Sequence, residues 1–329
     1  MKNNNIQTTY TVKVPKNKAG VRLDKFLAEE VEGYSRSRIK ALMDQGHVTL
    51  TLKSVEQPAQ DASRKVRDGE EYTVHIPAVV AAEPVAQDIP LHVVYEDDDV
   101  IVIDKPPGLV VHPAAGNADG TLVNALLFHC GASLSGIGGV ARPGIVHRLD
   151  KGTGGLMIAA KNDAAHVALC EQFADHSMDR AYLALVWGVP MPPKGTIEGH
   201  IGRSPQNRKK MAIVDRGGKS AVTHFKVLKT LGDVAALVEC RLETGRTHQI
   251  RVHMTSIGHP IIGDPVYGGG GKSRRSKLTP HARAIVDQLD HQALYAYELG
   301  FVHPTTQEKM FLQNQKDNLI CNLYDELKI

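Results

Sequence analysis

Three prolines in a short stretch of small, mostly apolar residues divide this chain into two parts. Residues 77–90 carry Pro77, Pro84 and Pro90 among alanines and valines, with two acidic residues and no basic one. Proline fixes φ and cannot donate a backbone hydrogen bond, so such a stretch favours an extended linker. The 329 residues are also enough for two domains. We predict a tail at 1–16, a small domain at 17–80, a linker at 81–90 and a larger domain at 91–329.

The small domain has the pattern of two helices followed by strands. Leu23 and Leu27 have helical spacing, and Ser35 is a suitable N-cap for a second helix. Residues 47–52 and 71–76 alternate in the manner of strands. We therefore expect a compact α/β module at the N-terminal end.

The larger domain mixes strand and helix patterns without regular alternation. Patterns typical of strands occur at 93–95, 100–103, 155–160, 182–189, 221–229, 234–242, 248–254 and 295–302, and helical patterns at 121–129, 163–175 and 280–290. The absence of a regular strand–helix–strand alternation favours an antiparallel sheet over a parallel one. We predict an α+β fold in which a mostly antiparallel mixed sheet is flanked by helices and loops.

Asp150 lies at a bend between two apolar runs. Residues 144–149 precede it, and Gly152, Gly154 and Gly155 follow it before the next apolar run begins. This pattern predicts a strand, a sharp turn and a second strand. A carboxylate at such a bend faces a cleft rather than the core, which makes Asp150 a candidate catalytic residue.

Basic residues are clustered, although the formal net charge is only +3. One cluster opens the second predicted helix, where side chains and N-terminal backbone N–H groups can bind phosphates together. Two others lie at 202–219 and 272–283. Charge alone leaves a solvated loop equally open for each cluster, but three of them together favour nucleic acid as the partner. The candidate nucleic-acid-binding residues are Arg36, Arg38, Lys40, Arg208, Lys209 and Lys210.

Other kinds of site lack the spacing that they require. The four cysteines show no CxxC pair, which argues against a thiolate zinc site and a disulfide framework. His248 and His253 are five residues apart with no Glu between them, unlike the HExxH zinc motif. The glycine run before Lys272 fails as a P-loop because Val266 takes the place of its first glycine. No segment approaches the ~20 apolar residues of a membrane span. The spacing of the cysteines and histidines leads us to expect no metal site, and cysteines without a disulfide framework favour a cytoplasmic protein.

Four ordered motifs of this chain resemble those of a known enzyme family. They are DKPPGLVVHP at 104–113, the HRLDK-containing run at 144–160, RAY at 180–182, and the run at 242–268 that begins LETGRTHQIRVH. Together these motifs are similar to those of the RluA family of pseudouridine synthases. Residues 20–52 also resemble the S4 RNA-binding module, which supports RNA as the partner.

The resemblance implies an isomerase that converts uridine to pseudouridine in RNA, with large-subunit (23S) ribosomal RNA as the expected substrate. It implies that Asp150 is the catalytic carboxylate and that Arg251 forms an ion pair with it. Tyr182 would stack on the base and assist removal of the proton at C5. Arg148 would occupy the space that a flipped base leaves. Because isomerisation transfers no group and changes no oxidation state, we expect no cofactor.

Two glycines depart from the family pattern. Gly152 and Gly154 stand where the family commonly has Asp and Ser or Thr, and they leave a second hypothesis open: a non-catalytic RNA-binding factor in ribosome assembly or regulation. A third hypothesis, hydrolysis of a glycosidic bond, usually needs two carboxylates, and only Asp150 is well placed. We expect a monomer whose partner is large-subunit ribosomal RNA or a pre-ribosomal particle.

Overall fold

The computed structural model of the protein describes residues 6–52, 55–77, 84–114, 116–131, 134–135, 143–207, 210–270, 272–314 and 319–328. The chain separates into two units, Met1–Ala81 and Ala82–Ile329. Each unit has its own apolar core.

The N-terminal unit packs two helices against a four-stranded antiparallel sheet. Its elements are β1 (Ile6–Lys13), α1 (Leu23–Glu30), α2 (Arg36–Asp44), β2 (Val48–Leu52), β3 (Val55–Pro58) and β4 (Glu71–Pro77), with a 3-10 turn at Lys16–Lys18 and the sheet order β1-β4-β2-β3. Helix α2 begins after Ser35, whose side-chain oxygen accepts a hydrogen bond from the Arg38 N–H at 3.3 Å. Side chains from both helices and from β2 and β4 fill the core.

Part of the N-terminal segment differs from the expected tail. Residues Ile6–Lys13 form β1 and pair antiparallel with β4, and Val14 is buried in the core of the unit. The segment alternates polar and apolar residues at Tyr10, Val12 and Val14, which is the pattern of a half-buried edge strand. The described part of this tail therefore belongs to the N-terminal unit.

The second unit is built on a large sheet. Its elements are β5 (Val93–Glu96), β6 (Val100–Lys105), α3 (Leu122–Cys130), β7 (Gly154–Ala160), α4 (Asp163–Ala174), β8 (Asp179–Trp187), β9 (Lys194–Arg203), β10 (Met211–Ile213), β11 (Lys219–Leu231), β12 (Ala235–Leu242), α5 (Gln249–Ser256), α6 (Lys272–Arg275), α7 (Pro280–Gln288), β13 (Leu294–Val302), β14 (Lys309–Gln313) and α8 (Leu319–Glu326), with a 3-10 turn at Gly268–Gly270. The strand order is β10-β9-β11-β12-β8-β13-β7-β6-β5, and β14 also pairs with β13.

The sheet is mixed and mostly antiparallel, as predicted. Among the strand pairs of the described residues, only β7 and β13 run parallel. Helix α4 packs against β7 and β13, α5 against β9, β10 and β11, and α8 against β8 and β13. The α+β prediction is therefore confirmed, and the central strands β7, β8 and β13 place residues from distant parts of the sequence next to one another.

Two predicted strands of the larger domain are wrong. Residues 248–254 were expected to be a strand, but Gln249–Ser256 form helix α5. Residues 144–149, expected to be the first strand of a hairpin, make only an isolated bridge between Ile145 and Ala159. Further along this segment, the ring Nε2 of His147 accepts the Ile158 N–H at 3.1 Å, so a side chain replaces the backbone ladder there.

The described part of the predicted linker is attached to the second unit. The Gln87 N–H donates to the Asn124 carbonyl at 3.0 Å, and the Gly120 N–H donates to the Gln87 side-chain oxygen at 2.7 Å. The Asn124 side chain in turn donates to the Val85 carbonyl at 2.8 Å. Residues 84–90 are thus held against the start of α3.

None of the helices in the described residues is long and apolar enough to cross a membrane.

Candidate active site

Asp150 lies on the loop that leads into β7, with its side chain 18% exposed. The loop is held at several points around it: the Thr153 N–H donates to the Asp150 carbonyl at 3.0 Å, and the Gly108 N–H donates to the Lys151 carbonyl at 2.8 Å. Leu149, immediately before Asp150, is buried. The turn is therefore anchored on both sides of the carboxylate, which leaves the side chain a narrow range of positions.

Lys105, at the end of β6, donates hydrogen bonds to the Asp150 loop and to the segment that follows β6. Its ammonium group is fully buried and donates to the carbonyls of Pro106 at 3.0 Å, Leu109 at 2.9 Å and Lys151 at 3.4 Å. Burial lowers the pKa of Lys105 to about 8, although the nearby charge of Asp150 opposes this shift. Lys105 belongs to the DKPPG motif, but no pattern in that motif indicates that its side chain lies against the Asp150 loop.

Replacing Lys105 by Met is expected to reduce the free energy of unfolding by roughly 3 kcal/mol, because carbonyl groups lose a buried donor. The folded pKa lies below that of the unfolded chain, so wild-type stability from this group increases as the pH rises from about 8 toward 10.5. The gap between wild type and Lys105→Met should therefore widen between pH 7.5 and pH 9.5 in urea denaturation. Lys309→Met, at an exposed position, is the control, and a gap that narrows with pH would contradict the assignment.

Arg251 on α5 connects Asp150 with a second carboxylate, Asp264. Its Nη1 donates to Asp150 Oδ2 at 2.9 Å, while its Nε and Nη2 donate to Asp264 Oδ2 and Oδ1 at 2.7 and 2.9 Å. The Arg251 side chain is 5% exposed and that of Asp264 is fully buried. Since a bidentate Arg–carboxylate pair fixes the plane of the guanidinium, Asp264 orients Arg251 and Arg251 orients Asp150.

Asp264 is held in its ionised form. Burial alone would raise its pKa, but hydrogen bonds and charge from Arg251, together with the Val266 and Tyr267 backbone N–H groups at 2.8 and 3.0 Å, lower it below the usual value. The Tyr267 ring also faces Arg251, with the guanidinium carbon 5.0 Å from the ring centre. The guanidinium is thus enclosed by two carboxylates and an aromatic face.

His248 and Tyr267 close one side of this network. The His248 Nδ1 is 2.8 Å from the Tyr267 hydroxyl oxygen, which also accepts the Met211 N–H at 2.9 Å. The other ring nitrogen of His248 is 3.9 Å from Asp150 Oδ2. Burial is the main cause that lowers the pKa of His248, so near neutral pH the ring is mostly uncharged and Arg251 is the cation paired with Asp150.

A cavity of about 280 Å³ opens in front of Asp150. Pockets near this size bind small ligands and single building blocks of polymers. Its lining combines charged, aromatic and apolar side chains and includes Arg148, Asp150, Phe173, Arg180, Tyr182 and Gly245. The structure therefore brings together Asp150, Arg251, Tyr182 and Arg148, which are far apart in the sequence.

Tyr182 lies on β8 and is 7% exposed. Burial is the largest cause that raises its pKa, and the Asp150 charge adds to that effect. Its hydroxyl makes no hydrogen bond to the described residues. Arg148, by contrast, is exposed at the rim and also forms no ion pair within the described part of the chain. Both side chains can thus contact a molecule in the cavity without breaking an existing bond.

The two unusual glycines fit their surroundings. A Cβ at Gly152 would lie 2.6 Å from Gln292 Oε1 and 2.8 Å from His291 Cβ, and a Cβ at Gly154 would lie 3.1 Å from atoms of Pro107 and Tyr295. Gln292 instead donates from Nε2 to Thr153 Oγ1 at 2.8 Å. The Asp150–Arg251 pair forms with these glycines in place, so the glycines leave the arrangement of charged groups intact.

The predicted RNA-binding residues have different surroundings. Arg36 is exposed and forms an ion pair at 2.9 Å with Asp24, whose pKa is lowered to about 2 mainly by the hydrogen bond from Arg22. Arg38 and Lys40 are exposed. The Lys210 ammonium donates to the Val266 carbonyl at 2.7 Å, which ties the start of β10 to the Tyr267 segment. Arg208 and Lys209 lie outside the described residues.

Two residues of the basic cluster at 272–283 are paired with carboxylates of the protein. Arg275 forms an ion pair with Asp287, and Lys277 forms one with Asp233. Arg274 donates to the Trp187 carbonyl at 3.3 Å. Since these partners reduce the free positive charge, this cluster gives weaker support for RNA binding than its sequence indicates.

Among the described residues, one group of side chains of the kind that bind metals lies outside the cavity, formed by Asp97, Asp99 and His303. His303 Nε2 is 2.7 Å from Asp97 Oδ2, and its other ring nitrogen accepts the Thr306 N–H at 3.1 Å. Asp97 also accepts from the Tyr95 hydroxyl at 2.6 Å. Hydrogen bonds thus already occupy these atoms, which is the arrangement of a structural network rather than an open metal site.

Known proteins resemble this chain closely in sequence. A family model described as RNA pseudouridylate synthase matches residues 99–256. Ribosomal large subunit pseudouridine synthase D of Zymomonas mobilis is 50% identical over 88% of this chain and 89% of its own length. The protein of that name in Neisseria meningitidis serogroup B is 44% identical over 96% of this chain and 81% of its own length. Of the solved structures, human RNA pseudouridylate synthase domain containing 1 is 26% identical, with a TM-score of 0.55, over 72% of this chain and 88% of its own.

Proposed function

The chain belongs to the RNA pseudouridylate synthase family and is an isomerase that acts on RNA; from that premise we propose that it converts uridine of large-subunit ribosomal RNA to pseudouridine, with Asp150 as the catalytic carboxylate. The observation that carries the proposal is the Arg251 bridge, which holds the Asp150 carboxylate at the cavity wall by a 2.9 Å bond. The names of the relatives from Z. mobilis and N. meningitidis support the large ribosomal subunit as the source of the substrate.

The reaction breaks the bond between C1′ of the ribose and N1 of uracil, turns the base, and joins C1′ to C5. N1 gains a proton and C5 loses one, so the overall change is an isomerisation without a co-reactant. A carboxylate beside C1′ can attack that carbon or stabilise its developing positive charge, as in glycoside chemistry. Asp150 suits either route because Arg251 engages one of its oxygens and the side chain remains partly exposed to the cavity.

Tyr182 is proposed to stack on the uracil and to take part in removing the proton from C5. Its ring forms part of the cavity lining and its hydroxyl is not engaged by the described residues. An aromatic face gives a base a large contact area at low cost in side-chain entropy. Because burial raises the pKa of the hydroxyl, proton removal would depend on an intermediate in which the C5 hydrogen is acidic.

Tyr182→Phe is expected to lower kcat by about 10²-fold, because the ring can still stack but the hydroxyl is lost. The KM for RNA should change much less. Release of tritium from RNA that carries 5-tritiated uridine measures the step directly. Tyr324→Phe, a buried tyrosine whose hydroxyl donates to the Thr230 carbonyl at 3.1 Å, is the matched control. Wild-type turnover by Tyr182→Phe would remove the hydroxyl from the mechanism.

Arg148 is proposed to fill the space left when the target uridine leaves the stack. A stacked base cannot reach a carboxylate at a cavity wall, so the nucleotide must rotate outward. Arg148 is two residues from Asp150, is exposed at the rim and is not engaged by other described side chains. These properties support a side chain that enters the RNA rather than one that holds the protein together.

Pseudouridine mapping of total RNA from cells with and without the protein tests the proposal. We expect one or a few positions of large-subunit ribosomal RNA to lose the modification and to regain it when the wild-type protein is restored. A map in which pseudouridine is lost only from transfer RNA would overturn the proposed substrate. Free uracil and abasic sites would instead indicate glycosidic hydrolysis.

The non-catalytic hypothesis rested on Gly152 and Gly154. The observed geometry weakens that basis, since both glycines lie among close neighbours while the Asp150–Arg251–Asp264 network is complete. A purely RNA-binding factor would show salt-dependent affinity and no release of tritium. The assay used for Tyr182 therefore also separates these two hypotheses.

We propose that the N-terminal unit contributes to RNA binding and that the protein acts as a cytoplasmic monomer. Arg38 and Lys40 are exposed on α2, and Arg36 beside them is exposed but paired with Asp24. Cys170 and Cys240 form no disulfide with the described residues, which agrees with a reducing compartment. Replacing Arg38 and Lys40 together by Gln should weaken RNA binding and reduce its dependence on salt concentration. In a separate experiment, analytical ultracentrifugation of the wild-type protein should give the mass of one chain.

A further inference from the structure

Arg180 is a buried cation in the cavity that no described residue neutralises. The residue is 8% exposed, and its Nε is buried without a hydrogen-bond partner. Its side chain forms neither an ion pair nor a hydrogen bond with the residues that the structure describes. Buried guanidinium groups are normally paired, because leaving water is costly for an ion. An unpaired one that faces a cavity therefore indicates a negatively charged ligand.

The neighbours of Arg180 hold it in place without satisfying its charge. The guanidinium carbon lies 5.3 Å from the centre of the Phe173 ring, and His147 stacks on the same ring with centroids 4.7 Å apart. Burial lowers the pKa of His147 to about 3, with the Arg180 charge as a further cause, so His147 is a neutral neighbour. A cation–π contact compensates only part of the desolvation of an arginine.

The backbone around Arg180 also leaves room for its guanidinium. A Cβ at Gly245 would lie 3.0 Å from Arg180 Nη1, so any side chain larger than hydrogen at that position would crowd the group. Arg180 and Tyr182 are two residues apart on β8 and therefore project from the same face of the sheet. A ligand whose base stacks on Tyr182 would thus present its backbone in the direction of Arg180.

From the unpaired, cavity-facing guanidinium and the room that Gly245 leaves for it, we propose that Arg180 binds a phosphate directly adjacent to the uridine in the cavity. This inference rests on the proposed function. Phosphates are the anions that RNA offers, and the planar guanidinium can donate two parallel hydrogen bonds to one phosphate. Arg251 is already paired with Asp150, and Arg148 is exposed at the rim, so Arg180 is a buried cation of the described cavity lining that remains available to the substrate. The contact would fix the sugar of the target nucleotide relative to Asp150.

The test combines Arg180→Gln with RNA oligonucleotides in which one phosphate is replaced by an uncharged methylphosphonate. The oligonucleotide carries the uridine identified by mapping, with the neutral linkage placed on its 5′ side or its 3′ side. For wild type, one of the two placements should reduce kcat/KM by about 10- to 100-fold, as expected for a hydrogen bond to a charged group. Arg180→Gln should lose a similar factor on natural RNA and become insensitive to that placement.

Arg180→Lys should recover part of the activity, since it restores the charge but not the second donor. Arg241→Gln, which removes an arginine that lies outside the cavity lining and pairs with Glu298, is the control for a lost arginine. Two results would overturn the inference. In the first, Arg180→Gln and the methylphosphonate reduce kcat/KM independently of each other at both placements, so that their effects multiply. In the second, Arg180→Gln has wild-type kinetics. A lower thermal midpoint with unchanged sensitivity to the neutral linkage would assign Arg180 a purely structural role and overturn it as well.

A binding experiment separates this inference from the proposed function. Uridine, uridine 5′-monophosphate and uridine 3′-monophosphate are titrated against wild type and Arg180→Gln by ligand-observed NMR. Wild type should bind one monophosphate at least tenfold more tightly than uridine, and Arg180→Gln should bind that monophosphate and uridine equally. Equal affinities in wild type would overturn the phosphate contact, whatever the mapping experiment gives. Discrimination without any pseudouridine formation would support the contact while the proposed function fails.

Discussion

Asp150→Asn is expected to reduce pseudouridine formation by at least about 10⁴-fold, the scale seen when a catalytic side chain is removed from an otherwise intact site. Asparagine keeps the shape of the side chain and still accepts a hydrogen bond from Arg251. It has no negative charge with which to attack C1′ or to stabilise positive charge there. Both tritium release and direct nucleoside analysis of the RNA product should report the loss.

The binding of RNA separates chemistry from recognition in this experiment. Asp150 contributes no attraction to a polyanion, so Asp150→Asn should bind RNA with an affinity within a few fold of wild type. Asp290→Asn, at a side chain that is 92% exposed, removes a carboxylate of the same type away from the cavity and should leave turnover unchanged. Substantial residual turnover by Asp150→Asn would show that another group performs the chemistry.

Local signals predicted the elements that have clear boundaries. Ser35 marked the start of α2 because its side chain can accept from the third residue of the helix, and the structure has that bond. The turn between the predicted strands at 93–95 and 100–103 also has a local cause, because Asp97 accepts the backbone N–H groups of Asp99 and Val100. Such signals depend on residues a few positions apart, which is why one sequence is enough to read them.

The helix at Gln249–Ser256 was not predicted because polar as well as apolar residues of this segment are buried, and its apolar residues therefore lack helical spacing. All residues from Gln249 to Met254 are buried, including the polar ones, so neither the helical nor the strand spacing of apolar residues stands out. The helix also begins without a typical cap, since His248 precedes it in the left-handed conformation with φ of 58°. The polar side chains inside, such as Arg251, are buried because each has a specific partner.

The site itself could be predicted only in part. The resemblance named Asp150, Arg251, Tyr182 and Arg148, and the structure brings these residues to one cavity. The partners that hold them were not identified: Asp264 lies 13 residues after Arg251 in a loop, and Lys105 belongs to a different strand. Contacts of this kind depend on how the sheet and α5 pack. A charged residue within a family motif, such as Asp264, is the sequence signal that could have identified these partners.

Arg251→Met should lower the free energy of unfolding by about 3–5 kcal/mol, because it leaves a fully buried carboxylate without its cation. Asp264 would keep only the backbone N–H groups of Val266 and Tyr267. The single tryptophan, Trp187, lies in the core of the second unit, so its fluorescence in urea reports the transition of that unit. Turnover should fall together with stability, since Asp150 also loses the group that orients it.

The pH dependence should change sign between the two proteins. In wild type the pKa of Asp264 is lowered, because the Arg251 bonds outweigh the opposing effect of burial. Its contribution to stability is therefore present at neutral pH and is lost as the pH falls through the folded pKa. In Arg251→Met burial is opposed only by the backbone bonds, so the folded pKa should rise above the unfolded value. Acidification from pH 7 to pH 4.5 should then stabilise the variant. A difference in unfolding free energy between wild type and Arg251→Met that stays constant over this pH range would contradict this account.

The double variant Arg251→Met with Asp264→Asn separates the cost of the buried charge from the loss of function. If an uncompensated carboxylate destabilises Arg251→Met, neutralising Asp264 should restore a large part of the unfolding free energy and remove the inverted pH dependence. Activity should not return, because Asp150 remains without the Nη1 bond that fixes it. Recovery of both stability and turnover would mean that Arg251 acts on Asp150 only by keeping the surrounding loops folded.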